Sequence, residues 1–412
     1  MTESKHNQKP SNTVNELPVP DKDAALHSEK VRQCLFDKIT DKGSISFTEF
    51  MQTVLYEPGL GYYSAGSTKL GAEGDFITAP EISSLFSQSI AQSILPALDT
   101  IDECCILEVG AGSGKMAADI LLHLSQLNKL PEKYYILELS ADLRLRQQQY
   151  IKQTVAELYE RVEWLDSIPD NLNAVVVANE LLDAMPVVRF KKEKQGVSTE
   201  HVIIEDGEFR SSYSLNSDNN DSSYQRICQR LQKVESENTK FNLGFKSEIN
   251  FNAEDWLKSI SEKLNSGVIL LIDYGYPQHE YYHEQRNNGT LTCFYRHRHH
   301  DNPFLYPGLQ DLTAHVDFTA LADCAIESGM NVIGYTTQSN FLFGAGIAQL
   351  AEEKAVMFIE QDKIVEQIEL TNKIKKLTMP YEMGEIIKVI GFSKNCHVSL
   401  DAFHFNDMRD HL

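Results

Sequence analysis

The chain has 412 residues, 42% of them hydrophobic, with 38 Lys+Arg against 59 Asp+Glu and a formal charge of −21. That composition excludes a wholly disordered chain. The negative balance argues against non-specific nucleic-acid binding, which needs a basic field to neutralise phosphate, and points instead to a basic partner.

Residues 1–30 are polar and mixed in charge, with no apolar core and no Arg, so they read as a disordered leader that is neither a secretory signal nor a transit peptide. Residues 31–101 read as a helical and loop lid. Ser46 and Glu49 have capping-box spacing, and Phe47, Phe50, Met51, Val54 and Leu55 fall on one apolar face of a helix that ends before Pro58-Gly59. Thr78 and Glu81 offer a second capping box. From about residue 102 to 346 apolar runs alternate with helical stretches. Strands are expected at 104–109, 134–139, 161–165, 174–178, 267–273 and 330–336, and helices at 141–158, 252–264 (Asn252 as N-cap) and 316–328. This alternation predicts right-handed βαβ units, hence an α/β fold with a mostly parallel, doubly wound sheet. It is interrupted at about 187–250. There Val187–Phe190 and His201–Ile204 are expected to pair antiparallel, and 211–223 has loop composition. Residues 347–412 complete the fold with helices over 347–376 and a strand at 386–390. No apolar run approaches the roughly 18–20 residues of a membrane span, so no membrane insertion is expected. Seven cysteines without a CxxC read as reduced and structural, in an intracellular compartment.

The strongest local signal is Leu107-Glu108-Val109-Gly110-Ala111-Gly112-Ser113-Gly114, where a buried strand turns into a helix. A P-loop is excluded, because it would need Gly at Val109 and Ser or Thr at Met116. A dinucleotide fingerprint is imperfect, because Lys115 stands at the third glycine. Acidic-x-Gly-x-Gly-x-Gly is the pattern of the S-adenosylmethionine site in Rossmann-like methyltransferases, and an ordinary Gly-rich turn is the plain alternative. Glu138, at the end of the next strand, stands where a carboxylate would accept two ribose hydroxyls. Asp166 ends the strand after that and is a candidate for the adenine side. Asn179 and Glu180 would lie at a strand's carboxyl end, where open α/β sheets bind ligands. Glu180 and Asp183 could face a cationic acceptor in fork geometry; they could equally be acids at a helix N-terminus.

Four blocks then carry a resemblance. Gly71-Ala72-Glu73-Gly74-Asp75-Phe76-Ile77-Thr78-Ala79-Pro80-Glu81 is the first, and Ala178-Asn179-Glu180 through Pro186 the second. His300-Asp301 with Pro307-Gly308 through Asp311-Leu312-Thr313-Ala314-His315-Val316-Asp317-Phe318 is the third, and Thr337-Gln338 through Phe341-Leu342 the fourth. In this order, over roughly residues 31–380, they resemble the MidA-like methyltransferase family, which includes a mitochondrial complex I assembly factor. The resemblance implies a Rossmann-like class I methyltransferase fold with an N-terminal helical lid and an inserted β/helical segment. It implies S-adenosyl-L-methionine as cofactor, and arginine methylation on a basic protein client such as a complex I subunit. Carried over by position, Gly110, Gly112, Gly114 and Glu138 would hold the cofactor; the strand-end reading above adds Glu108, Asp166 and Asn179 as cofactor candidates. Asp75, Thr78 and Pro80 would close over it, and Glu180 and Asp183 would face the acceptor. His300, His315 and Asp317 would touch substrate, although His315 and Asp317 could equally cap the following helix.

No metal is expected: the run Arg296 to Asp301 lacks paired ligands at helical or CxxC spacing. The other reading of the chain is an assembly factor that keeps the cofactor pocket and acts by holding a client. The expected compartment is a bacterial cytoplasm, or the mitochondrial matrix in a eukaryote. The oligomeric state, a homodimer included, is left open.

Overall fold

The computed structural model describes residues 17–65, 77–215, 222–237 and 240–412. At its centre lies β1 (Cys105–Val109), all five of whose residues are buried. Burial on both faces is what a strand between two helix layers requires. β2 (Tyr134–Leu137), β3 (Val162–Leu165), β4 (Leu172–Asn179), β5 (Leu264–Tyr276), β6 (Asn331–Thr337) and β7 (Ile387–Lys394) complete the sheet in the spatial order β3-β2-β1-β4-β5-β7-β6. The strands β1 to β5 pair in parallel, and β7 runs antiparallel to both of its neighbours.

Alternate residues of β5 feed the two layers: Val268, Leu270 and Ile272 enter one core, Ile269 and Leu271 the other. Each such side chain contributes about 1.5–3 kcal/mol relative to exposure. The chain leaves β1 toward β2 on one side, while β4 lies on the other. That reversal of strand order opens a crevice at the carboxyl ends of β1 and β4.

The interruption is a second, five-stranded sheet. Val188–Glu193 and Gly196–Glu205 pair antiparallel as expected, joined by Ile45–Ser46, Glu208–Leu215 and Lys246–Ile249. Residues 211–215, expected as loop, belong to this sheet. Their polar side chains serve a buried acid: the Ser211 and Tyr213 hydroxyls each donate to Glu200 at 2.6 Å. Thr292–Tyr295, Arg298–His300 and Asp311–Thr313 form a third, small sheet.

The N-terminal helix begins at Lys22, inside the stretch expected to be a disordered leader. Asp21 caps it by accepting from the Asp23 and Ala24 amides, and Val31, Leu35 and Ile39, four residues apart, bury one face. They pack with the following helix, Phe47–Tyr56, and with Val202, Cys293 and Leu312 of the added sheets. Ser46 caps that helix through the Glu49 amide, as its spacing predicts.

Two other expectations shift. Asn250, not Asn252, caps the helix Phe251–Lys263, while Asn252 donates to the Pro186 carbonyl at 2.6 Å. The helical tail is two helices, Ile347–Glu360 and Ile364–Thr378, broken at Asp362, whose φ is +56°. Among the described residues no helix is long and apolar enough to cross a membrane.

Candidate active site

The register of the sheet builds the crevice. Val109, the last residue of β1, pairs with Ala178 of β4 and Leu137 of β2, so the turn that follows sits between two other strand ends. Gly110 has φ +72°, and a Cβ there would lie 3.0 Å from Leu181 Cδ1. Gly114 has φ +83° and caps the helix Lys115–Gln126; its Cβ would lie 3.3 Å from the Gln147 backbone. Both positions adopt the left-handed backbone that favours glycine, and a Cβ at either would be tight against its neighbour.

Glu138 follows β2 and accepts from the Ser140 amide at 2.9 Å and from Gln147 Nε2 at 3.0 Å. Burial raises its carboxyl above the usual range, against those donors and the Arg144 charge. Gln147 Nε2 also donates to the Gly112 carbonyl, and Gln147 Oε1 accepts from Trp164 Nε1. This fully buried glutamine therefore ties the glycine turn to the ends of β2 and β3. Glu108 lies behind the turn. It is 1% exposed, and its carboxyl accepts from the Tyr134 hydroxyl at 2.6 Å. It braces β1 against β2. The Asp166 side chain is 90% exposed and ion-paired to Arg144.

The segment after residue 76 reaches across the crevice. Asp75 lies outside the described residues. Thr78 begins the short helix Ala79–Ile82 but makes no side-chain cap, so the capping box expected there does not form. Glu81 accepts a short hydrogen bond from the Ser113 hydroxyl in the glycine turn. The Ala79 amide donates to Glu180 Oε1 at 3.2 Å, and Pro80 is buried. The segment is thus fastened both to the turn after β1 and to the residue after β4.

No helix begins at Glu180: residues 181–187 form an irregular turn, which removes the reading of its acids as a helix N-terminus. Glu180 itself has φ +50°, rare for a side-chain-bearing residue and a mark of functional sites. Its amide donates to the Ile272 carbonyl at 2.8 Å, and its carboxylate accepts from Asn179 Nδ2 at 3.1 Å. Asn179 Oδ1 is buried with no hydrogen-bond partner. Burial pushes Glu180 up to about 8, with Asp273 and Asp311 adding to the shift. Asp183 is held well above the carboxylate range by burial, then by Asp273, Asp311 and Glu180. Asp311 comes from the small sheet and accepts from the Tyr63 hydroxyl at 2.9 Å. Tyr63 stacks on Tyr56 at 5.5 Å, and Tyr56 donates to the Ala184 carbonyl at 3.0 Å. Four acids and two tyrosines from separate elements so converge beside the crevice.

The third block divides. His315 stacks on Tyr274 at 6.3 Å and meets Tyr276 edge-on at 5.2 Å; burial pushes it down to about 4, so its ring is neutral near pH 7. Asp317 Oδ1 accepts from the Ala320 amide and caps the helix Phe318–Glu327, the capping alternative for that residue. His300 lies in the small sheet and accepts from the Asn302 amide at 3.3 Å. Among the described residues no group of three or more His, Cys, Asp or Glu could hold a metal ion. Gln147, Asp273, Asp311 and Tyr63 escaped the sequence reading. Asp311 stood inside a quoted block, and Asp273 ended an expected strand, which is the position class that could have flagged it.

A seven-strand path with β7 reversed, a glycine turn at the strand-order reversal and acids on the facing strand end define a class I methyltransferase. The comparisons agree. The family model of S-adenosyl-L-methionine-dependent methyltransferases matches residues 89–336, and the chain belongs to that family. S-adenosyl-L-methionine is accordingly its cofactor. A Burkholderia thailandensis protein crystallised with S-adenosyl-homocysteine is 39% identical, with a TM-score of 0.89, over 96% of this chain and 100% of that one. The zebrafish (Danio rerio) mitochondrial protein arginine methyltransferase NDUFAF7 is 27% identical over 87% of this chain and 85% of its own. The Caenorhabditis elegans homolog is 26% identical over 77% of this chain and 76% of its own.

Proposed function

We propose that this methyltransferase acts on a guanidinium nitrogen of arginine in a basic protein client. The observation that carries the reading is the convergence of Glu180, Asp183, Asp273 and Asp311 beside the glycine turn, with Glu180 and Asp183 both raised by burial first and then by the charges of Asp273 and Asp311. Such a site favours a cation: an arriving guanidinium offsets the mutual repulsion, and its planar N–H fork suits carboxylate acceptors. The chain's charge of −21 complements a basic client at longer range.

In this reading Gly110, Gly112 and Gly114 let the cofactor approach the backbone, and Glu138 accepts its ribose hydroxyls. The Asn179 Oδ1 acceptor left unpaired at the strand end suits the same ligand. Thr78 and Pro80, with Asp75, cover it and exclude water. Bound S-adenosyl-L-methionine supplies an already activated methyl on sulfur. What remains for the chain is orientation and proximity. Glu180 and Asp183 grip the acceptor's N–H groups, aim one nitrogen at the methyl, and take up the proton released. The zebrafish and Caenorhabditis elegans relatives are named mitochondrial protein arginine methyltransferases, and the same substrate class is part of this proposal.

The test is label transfer from methyl-labelled cofactor to arginine-bearing basic protein, followed by amino-acid analysis. Methylarginine formed by wild type and lost in Glu180→Gln is the expected result. Client binding with no transfer under any condition would instead favour the client-holding role.

A further inference from the structure

The ladder between β4 and β5 stops at Asn179 and Ile272, yet the next three residues of the turn are not left without partners. The Asp273 side chain takes over. Its Oδ2 accepts from the amides of Leu181 at 3.1 Å, Leu182 at 2.8 Å and Asp183 at 3.3 Å, and its Oδ1 accepts from the Tyr274 amide at 2.8 Å. Successive backbone N–H groups aimed at one point form a nest that binds an anion. Here the anion is a carboxylate of the neighbouring strand, 1% exposed.

We infer that Asp273 is a positioning residue for the acceptor site: by filling this nest it holds the 180–183 turn in the conformation that presents Glu180 and Asp183. The inference rests on the reading that these two acids face the acceptor.

The left-handed Glu180 backbone is costly by itself, on the order of 1–3 kcal/mol, and persists only where the surroundings over-determine it. β5 supplies that constraint through two consecutive residues, the Ile272 carbonyl on the Glu180 amide and the Asp273 carboxylate on the amides of 181–183. Only a carboxylate fits. It has acceptors on both oxygens, whereas an Asn would turn an NH₂ group toward one set of amides and leave donors facing donors. Asp273 also acts through charge. Glu180 faces Asp273 and Asp311; Asp183 faces Asp273, Asp311 and Glu180; and Tyr274 faces Glu180, Asp183 and Asp273. Burial pushes Asp273 itself up to about 7, against the four backbone amides that hold its charged form, and its charge in turn raises Glu180 and Asp183.

The experiment compares Asp273→Asn and Asp273→Glu with wild type in methyl transfer and S-adenosyl-homocysteine binding. Asp273→Asn is expected to lower kcat on the order of a hundredfold, the cost of misplacing reacting groups by about an ångström. Cofactor-product affinity should change by less than about threefold, because the glycine turn lies on another strand. The acidic limb of kcat/KM should move to lower pH, since a neutral Asn no longer holds protons on Glu180 and Asp183. Asp273→Glu keeps the charge, so kcat falls while the limb stays. A merely structural role would move no limb. If Asp273→Asn keeps kcat within threefold of wild type, or loses it wholly through cofactor binding, the inference is wrong. Should that variant not fold, hydrogen exchange on wild type decides: amides of 181–183 must exchange as slowly as those of β4, and fast exchange overturns the claim. A fully active Glu180→Gln would sink the acceptor reading instead. An inactive Glu180→Gln beside an active Asp273→Asn would sink only the positioning role.

Discussion

Gln147 donates to Glu138 Oε2 at 3.0 Å, and through the same nitrogen to the Gly112 carbonyl. One buried side chain thus sets both the glycine turn and the acid proposed to accept the ribose hydroxyls. Gln147→Ala leaves the Gly112 carbonyl and the Trp164 N–H without their partner, a loss of about 1–3 kcal/mol. Cofactor affinity should fall roughly tenfold to a hundredfold, with kcat nearly unchanged at saturating cofactor. Calorimetry with S-adenosyl-homocysteine checks it. An affinity within twofold of wild type would show that the Gln147 link does not organise the site.

Glu180 carries the pH behaviour. Burial and the neighbouring acids push it up to about 8 in the free protein. A group that must be ionised to grip a cation is therefore largely protonated at neutral pH. The sign follows: kcat/KM should rise with pH through about 8 and level off above it. Glu180→Gln should lower kcat on the order of a hundredfold, as for a removed general base, and flatten that limb. A pH profile of wild type that is flat between 6 and 9 would contradict the assignment.

The central sheet is legible in the chain because a strand buried on both faces reads as a near-continuous apolar run: residues 174–178 of β4 and 267–272 of β5 are such runs, and β1 is broken only by Glu108. The glycine turn and the position of Glu138 are legible because each is a local consequence of a strand ending. The helix Lys22–Lys42 is harder to see, because only one narrow face, with Val31, Leu35 and Ile39, is buried and the rest is charged. Residues 211–215 read as loop because their serines and tyrosine serve Glu200, a partner on another strand that no local pattern shows. The strand positions of Asp166 and Glu108 are legible, but the partners of their side chains are not. Side-chain direction at a strand end is decided by neighbours, Arg144 and Tyr134, that arrive from elsewhere. Asp273 and Asp311 stand 93 and 131 positions beyond Glu180 in the sequence and meet it only in the folded chain.

A buried ion triad ties three strands of the second sheet together. Arg189 Nη1 lies 2.7 Å from Glu200, and its Nε lies 3.2 Å from Glu248, with both glutamate side chains fully buried. Its guanidinium also lies over the Phe47 ring at 5.1 Å. Arg189→Met leaves two uncompensated carboxylates and should destabilise the protein by about 3–5 kcal/mol. The triple variant Arg189→Met, Glu200→Leu, Glu248→Leu removes the unpaired charge and should recover much of that loss. Urea denaturation of both variants measures it, and a single-variant loss below about 1 kcal/mol would show the triad to be poorly coupled.

Glu108 makes the opposite kind of statement. Burial raises its carboxyl to about 7, the Tyr134 hydroxyl opposes the shift, and the Glu138 charge adds to it. The ordinary value is 4.5, so between there and about 7 the folded state binds more protons than the unfolded chain. Stability from this group is therefore present in full below about pH 4.5 and is lost as pH rises toward 7, where the folded protein must bury a charge. Glu108→Gln keeps an acceptor for Tyr134 and never ionises. It should match wild type within experimental scatter near pH 4.5 and exceed it by about 1–3 kcal/mol at pH 8, the free energy of a shift of this size after relaxation. Thermal melts of both proteins across pH 4.5–8.5 read the difference directly. A gap between variant and wild type that stays constant with pH would mean that Glu108 ionises normally in the fold.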